Sequence, residues 1–138
     1  MIRIATSVCC LVLFLVLPAM SQIETAPVSP LKSEIQVCTS ITDRNPVGAA
    51  TTFVPEVGQI YCWSKITGGS GEQAISHVWS LGGKVMAEVP LTIKGESWRT
   101  WSAKKILPSW TGEWEVKVKD SAGNTLASTT FVVGEVKK

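Results

Sequence analysis

Few residues in this chain could do chemistry. His77 is the single histidine. A histidine acts as a general base only when a group orients it and a nucleophile or water lies within reach. Asp43 is the one carboxylate in a suggestive setting, the turn-type sequence Asp43-Arg44-Asn45-Pro46. Pairing Asp43 with His77 would require the end of the first strand to reach the strand that carries His77. The competing reading makes His77 a core histidine with a hydrogen-bonded ring nitrogen. Asp43 and Arg44 are then either a structural corner or the polar rim of a binding face. One histidine and scattered carboxylates do not make a metal ligand set. The expectation is therefore no enzyme, no metal and no cofactor.

The tryptophans are the other candidate. All six lie between Trp63 and Trp114. An indole can fill a small β core or offer a flat apolar platform. Trp114 sits in Glu113-Trp114-Glu115-Val116-Lys117-Val118-Lys119, where apolar and charged residues alternate. That period of two is a half-buried strand with Trp114, Val116 and Val118 inward. Trp79 shares a face with Ile75, His77 and Leu81 and also reads as core. Tyr61 and Trp63 lie opposite Ile60 and Cys62 and form a candidate outer face. In Trp98-Arg99-Thr100-Trp101 the two indoles point to opposite sides of an extended strand, so one is expected exposed. Arg99 could stack on an indole there. Trp110 falls in a loop. The candidate binding surface is thus Tyr61, Trp63, Trp98, Arg99, Trp101 and Trp110, with Asp43 and Arg44.

These residues need a scaffold, and the period of two runs through most of the chain. Alternating faces occur at Ile35/Val37/Thr39/Ile41, Ile60/Cys62/Ser64/Ile66, Ile75/His77/Trp79/Leu81 and Val85/Ala87/Val89/Leu91/Ile93. Gly82-Gly83 is a two-residue hairpin signal. Asp120 to Asn124 is a second turn. In the last strand Leu126 and Phe131 have opposite parity, which a bulge around Ser128–Thr130 would reconcile. No stretch has a helical period. The expectation is an all-β, two-sheet antiparallel sandwich of immunoglobulin-like type with about seven strands.

Arg3, the apolar block Ile4–Leu17 and the small residues Ala19 and Ser21 read as a secretory signal peptide over 1–21. Residues 22–33 hold two prolines and read as a flexible tether. Residues 34–134 are the sandwich and 135–138 a tail. Export suits the cysteines. Cys38 and Cys62 would remain after cleavage, most simply as one disulfide worth about 3.5 kcal/mol. The alternative is two buried free thiols. Strand parity opposes the bridge, because Cys62 lies with Ile60 while Cys38 lies opposite Val37. Without Arg3, 12 basic side chains face 11 acidic ones. That near-neutral balance disfavours nucleic acid and acidic membrane surfaces as partners.

The segments CTSITDRNPVG (38–48), VGQIYCWSKI (57–66), HVW (77–79), SWRTWSAKK (97–105) and TGEWEVKVKD (111–120) resemble a bacterial family of domains of unknown function, number 2914. The similarity covers about residues 34–133. It implies a small exported or envelope-associated β domain and brings no activity.

The leading expectation is an exported, non-catalytic binding domain, periplasmic or extracellular, with a protein or peptide partner. One alternative is a carbohydrate-binding module using exposed tryptophans. Another is a structural accessory module of an envelope assembly. An enzyme using His77 and Asp43 is the weakest reading.

Overall fold

The computed structural model describes residues 30–134. The leader over 1–21, most of the tether and the tail fall outside the described residues. Among the described residues, no helix is long and apolar enough to cross a membrane.

The described residues form ten strands: β1 (Lys32–Cys38), β2 (Ser40–Thr42), β3 (Asn45–Val47), β4 (Thr52–Phe53), β5 (Gln59–Thr67), β6 (Gln73–Leu81), β7 (Lys84–Ile93), β8 (Ser97–Lys105), β9 (Gly112–Asp120) and β10 (Thr125–Val133). A 3-10 turn, Pro55–Val57, precedes β5. The count exceeds the expected seven because β2, β3 and β4 are two or three residues long. Alternation cannot register over so short a span.

One sheet has the order β1-β5-β8 and the other β4-β10-β9-β6-β7. Their apolar faces meet as a sandwich. Val37, Ile60 and Cys62 of the first sheet pack with Trp79, Trp114, Val116 and Phe131 of the second. Phe131 is the hub of this core. It stacks on Trp114 at 6.0 Å and meets Trp79 and Phe53 edge-on at 6.2 and 5.7 Å. Each such buried side chain contributes on the order of 2 to 3 kcal/mol. Trp79, Trp114, Val116, Val118 and His77 are all fully buried. A second cluster, built on Ile66, Ile75, Ile93 and Val118, fills the other half of the interior.

Three details differ from the sequence expectation. Pairing is not wholly antiparallel, since Val132 and Val133 run parallel to Thr52 and Phe53. The bulge in β10 lies between Thr125 and Ala127 rather than at 128–130. It lets Leu126 reach the second core cluster while Phe131 still faces Trp114. The first strand also begins at Lys32, with Leu31 buried before it, so the sandwich starts ahead of residue 34.

The third sheet is the hairpin β2-β3. It folds over the outer face of the three-stranded sheet, where it accepts a hydrogen bond from Trp63. Gly82 and Gly83, at φ 55° and 86°, form the expected tight turn between β6 and β7. The β2-β3 turn has the same sense but holds Asp43 at φ 50° and Arg44 at φ 63°, with no glycine.

Candidate functional site

Alternation along β5 and β8 sends polar side chains to both sides of one sheet, and the two sides differ. On the inner side lie Ser64, fully buried, and Ser102, nearly so. His77, from β6 in the opposing sheet, is fully buried between them. Its Nε2 is 2.8 Å from Ser64 Oγ and its Nδ1 is 2.6 Å from Ser102 Oγ. The Trp79 indole N–H also donates to Ser102 Oγ at 3.3 Å. A neutral imidazole has one donor and one acceptor nitrogen, and serine hydroxyls can serve either. Among the described residues no buried side-chain nitrogen or oxygen lacks a partner. Burial pushes the His77 pKa down to about 4, so the ring is neutral at pH 7.

The Ser64–His77 pair has the elements of an activated nucleophile. Its setting is a core contact that ties the two sheets. The partners of His77 are two serines, and Asp43 is exposed on the β2-β3 turn. The proposed His77–Asp43 pair is therefore not assembled.

The outer side is built differently. β1 and β5 pair with Gln36 opposite Trp63 and Glu34 opposite Lys65. β5 and β8 pair with Trp63 opposite Trp101 and Lys65 opposite Arg99. All of these face away from the core. The β2-β3 turn docks onto them at two points, and at a third reaches Trp98, which pairs with Ile66 and packs against the second core cluster. The Trp63 indole N–H donates to the Arg44 carbonyl at 2.8 Å. Arg99 Nη1 donates to Asn45 Oδ1 at 2.9 Å. The Arg44 guanidinium carbon lies 5.8 Å from the centre of the Trp98 ring. Between them opens a mostly polar groove of about 420 Å³, lined by Glu34, Arg44, Asn45, Trp63, Lys65, Ser97, Trp98 and Arg99.

Four of the residues singled out from sequence, Arg44, Trp63, Trp98 and Arg99, come together here. Others do not. Trp63 faces outward as expected but is only 5% exposed. The hairpin that covers it has strands too short to be read from alternation. Trp98 and Trp101 leave β8 on opposite sides, and both are half-buried. Arg99 does not stack on an indole; Arg44 does. Tyr61 is half-buried, and its hydroxyl bonds Gln59 at 3.3 Å. Trp110 belongs to another region. It packs at 6.3 Å against Trp114 and lies under the Lys104 ammonium at 4.9 Å. Lys104 is six residues along β8 from Trp98, roughly 20 Å in an extended strand. The tryptophans do not form one platform. Asn45 is a groove residue whose sequence context, before Pro46, signals only turn chemistry.

The expected disulfide is a correction. Cys38 and Cys62 are free thiols, both fully buried. The register sets Val37 opposite Cys62 and Cys38 opposite Tyr61. The two sulfurs therefore leave the sheet on opposite sides. Cys62 points into the core, where burial pushes its pKa up to about 12. Cys38 points outward under the hairpin and donates to the Ser40 carbonyl at 3.3 Å. Burial raises its pKa as well. Neither is a reactive thiolate. Among the described residues no group of histidine, cysteine, aspartate or glutamate side chains could hold a metal ion.

The DRNP turn and the SWRTWS strand that carried the family resemblance thus meet in one groove. Residues 72–133 match the family described as "Protein of unknown function (DUF2914)". Over that stretch the chain is similar to DUF2914. The matched stretch holds β6 to β10, and so contributes Ser97, Trp98 and Arg99 to the groove. Glu34, Arg44, Asn45, Trp63 and Lys65 precede it. No curated protein matches the chain. Among solved structures it is similar to a β-glucosidase from Listeria innocua in complex with glucose, at 10% identity and a TM-score of 0.44, over 75% of this chain and 16% of that one. It is also similar to a β-glucosidase from Kluyveromyces marxianus in complex with glucose, at 13% identity and a TM-score of 0.44, over 78% of this chain and 14% of that one. The chain spans about one-sixth of the first enzyme's length. Likeness at this level says nothing of activity.

Proposed function

We propose that this chain is a non-catalytic binding domain of the bacterial envelope, with the groove between the β2-β3 turn and β8 as its binding face. The reading rests on Arg44. A two-residue turn of this kind favours glycine or asparagine, and left-handed backbone costs another residue about 1 to 2 kcal/mol. An arginine there puts its guanidinium over Trp98. A strained residue whose side chain faces an open groove is better explained by what the side chain does than by the turn it makes. The leader-like residues 1–21 support export. The buried, doubly bonded His77 supports a structural role for that side chain.

A glycan platform has less support. It needs coplanar exposed rings, and here Trp63 is covered while Trp98 and Trp110 are far apart. A partner that enters a polar groove fits better.

Site-specific photocrosslinking in cells tests the reading. A crosslinking side chain at Ser97, on the groove, should give a discrete adduct that Arg99→Ala abolishes. The same group at Lys84, at the far hairpin, should not. No adduct from Ser97, or identical adducts from both positions, would sink the assignment of the groove.

A further inference from the structure

We infer that the groove recognises an oxyanion, a carboxylate or phosphate group carried by its ligand. This inference rests on the groove being the binding face and names what that face selects. Three cationic side chains line it, Arg44, Lys65 and Arg99, against one carboxylate, Glu34. Glu34 sits opposite Lys65 in the strand register, yet the two do not come within ion-pair distance, as Lys117 and Glu115 do at 3.3 Å on the other sheet. None of the three groove cations has an acidic partner within salt-bridge distance. Like charges gathered without neutralisation repel one another, and an anion relieves that repulsion.

The donors also have the right form. A guanidinium carries five N–H groups in a planar fork, suited to two-point contact with a carboxylate or phosphate. Arg99 uses Nη1 on Asn45, which fixes the plane of the guanidinium and leaves other donors free. Arg44 is placed over the Trp98 ring, its guanidinium carbon 5.8 Å from the centroid. Both forks are thus placed before a ligand arrives, so less side-chain entropy is lost on binding. The groove's size, about 420 Å³, is at the small end of ligand sites. It suits one charged group and its immediate neighbours rather than an extended flat ring system.

The test is titration of the 15N-labelled protein with three probes at constant ionic strength: glutarate, inorganic phosphate, and glutaramide as the uncharged analogue of glutarate. The indole N–H signals of Trp63 and Trp98 report on the groove, and that of Trp110 reports on the distant region. Saturable shifts at Trp63 and Trp98 with glutarate or phosphate, and none with glutaramide, are expected. The better of the two probes tells a carboxylate source from a phosphate source. Arg99→Gln and Lys65→Gln should each weaken binding about tenfold or more, the size of one lost charge-assisted hydrogen bond. Neither residue is buried, so the fold should survive, and the Trp79 and Trp114 signals verify it. Shifts that do not saturate, that glutaramide reproduces, or that both variants retain would overturn the inference. A groove-specific crosslink in cells together with a negative titration would leave the binding face standing and remove only its anion preference.

Discussion

On the inner side of β5 and β8, Ser64 and Ser102 are sealed from water and every polar atom has a partner. On the outer side of the same two strands, Lys65 and Arg99 point into an open groove with no acid within salt-bridge distance of either. The strands are identical and only the parity differs. The inner polar groups are spent on one another and on His77, which makes them structural. The outer ones are positioned but not neutralised, which leaves them available. Partnering, more than residue type, separates scaffold from site. It also separates the two groups chemically: the serine–histidine cluster looks catalytic by composition and is closed, while the groove looks ordinary and is open.

The contrast can be broken from the inside first. Ser102→Ala removes the partner of His77 Nδ1 and of the Trp79 indole at once. Two buried polar atoms left unsatisfied should cost about 4 kcal/mol, read as a lower urea midpoint with an unchanged slope. A loss below about 1 kcal/mol would mean the polar tie is not holding the sheets. Acid should act on the same cluster. His77 has an ordinary pKa of 6.5 and a folded value of about 4. Above pH 6.5 the ring is neutral in both states and its share of stability is complete. As pH falls from 6.5 towards 4 the unfolded chain takes up a proton that the folded one refuses. Stability should drop by on the order of 3 kcal/mol across that window. Urea melts at a series of pH values check this, and the drop should shrink in a His77→Gln variant that still folds.

The outer side should be far less sensitive. Arg44→Gly relieves left-handed strain and loses the contact with Trp98. Stability should stay level or rise by up to about 1 kcal/mol. A fall larger than that would show that Arg44 is kept for the fold. Arg99→Ala deletes one exposed hydrogen bond and should cost about 0.5 kcal/mol by thermal melt, while abolishing the Ser97 crosslink. Large losses in ligand capture with small losses in stability are the signature expected of the groove. The reverse pattern is expected of the serine–histidine cluster.

Much of the fold was legible because its longer strands obey one rule. Trp114, Val116 and Val118 alternate with charges, and Gly82-Gly83 can make only a tight turn. The core roles of Trp79 and His77 follow from the same alternation. The site was legible only in part. Trp98 and Arg99 stand out by composition, but Asn45, the partner of Arg99, lies 54 residues away from it and looks like turn chemistry. Trp63 was misjudged because alternation gives the face of a strand and not what lies over it. The hairpin that buries it has strands of three residues each. The disulfide was misjudged because compartment argues for a bridge, whereas register decides it. Parity had already set Cys38 and Cys62 on opposite sides.

The bonds from His77 to Ser64 and Ser102 also act mechanically. Apolar faces in a sandwich can slide, since one methyl group is much like the next. A directional bond cannot slide with them. Moving one sheet along the other by a two-residue step, roughly 7 Å, would break both bonds and strand the ring in a dry interior. The histidine is in effect a shear pin. It fixes the sheets in one alignment and holds β8 steady beneath the hairpin.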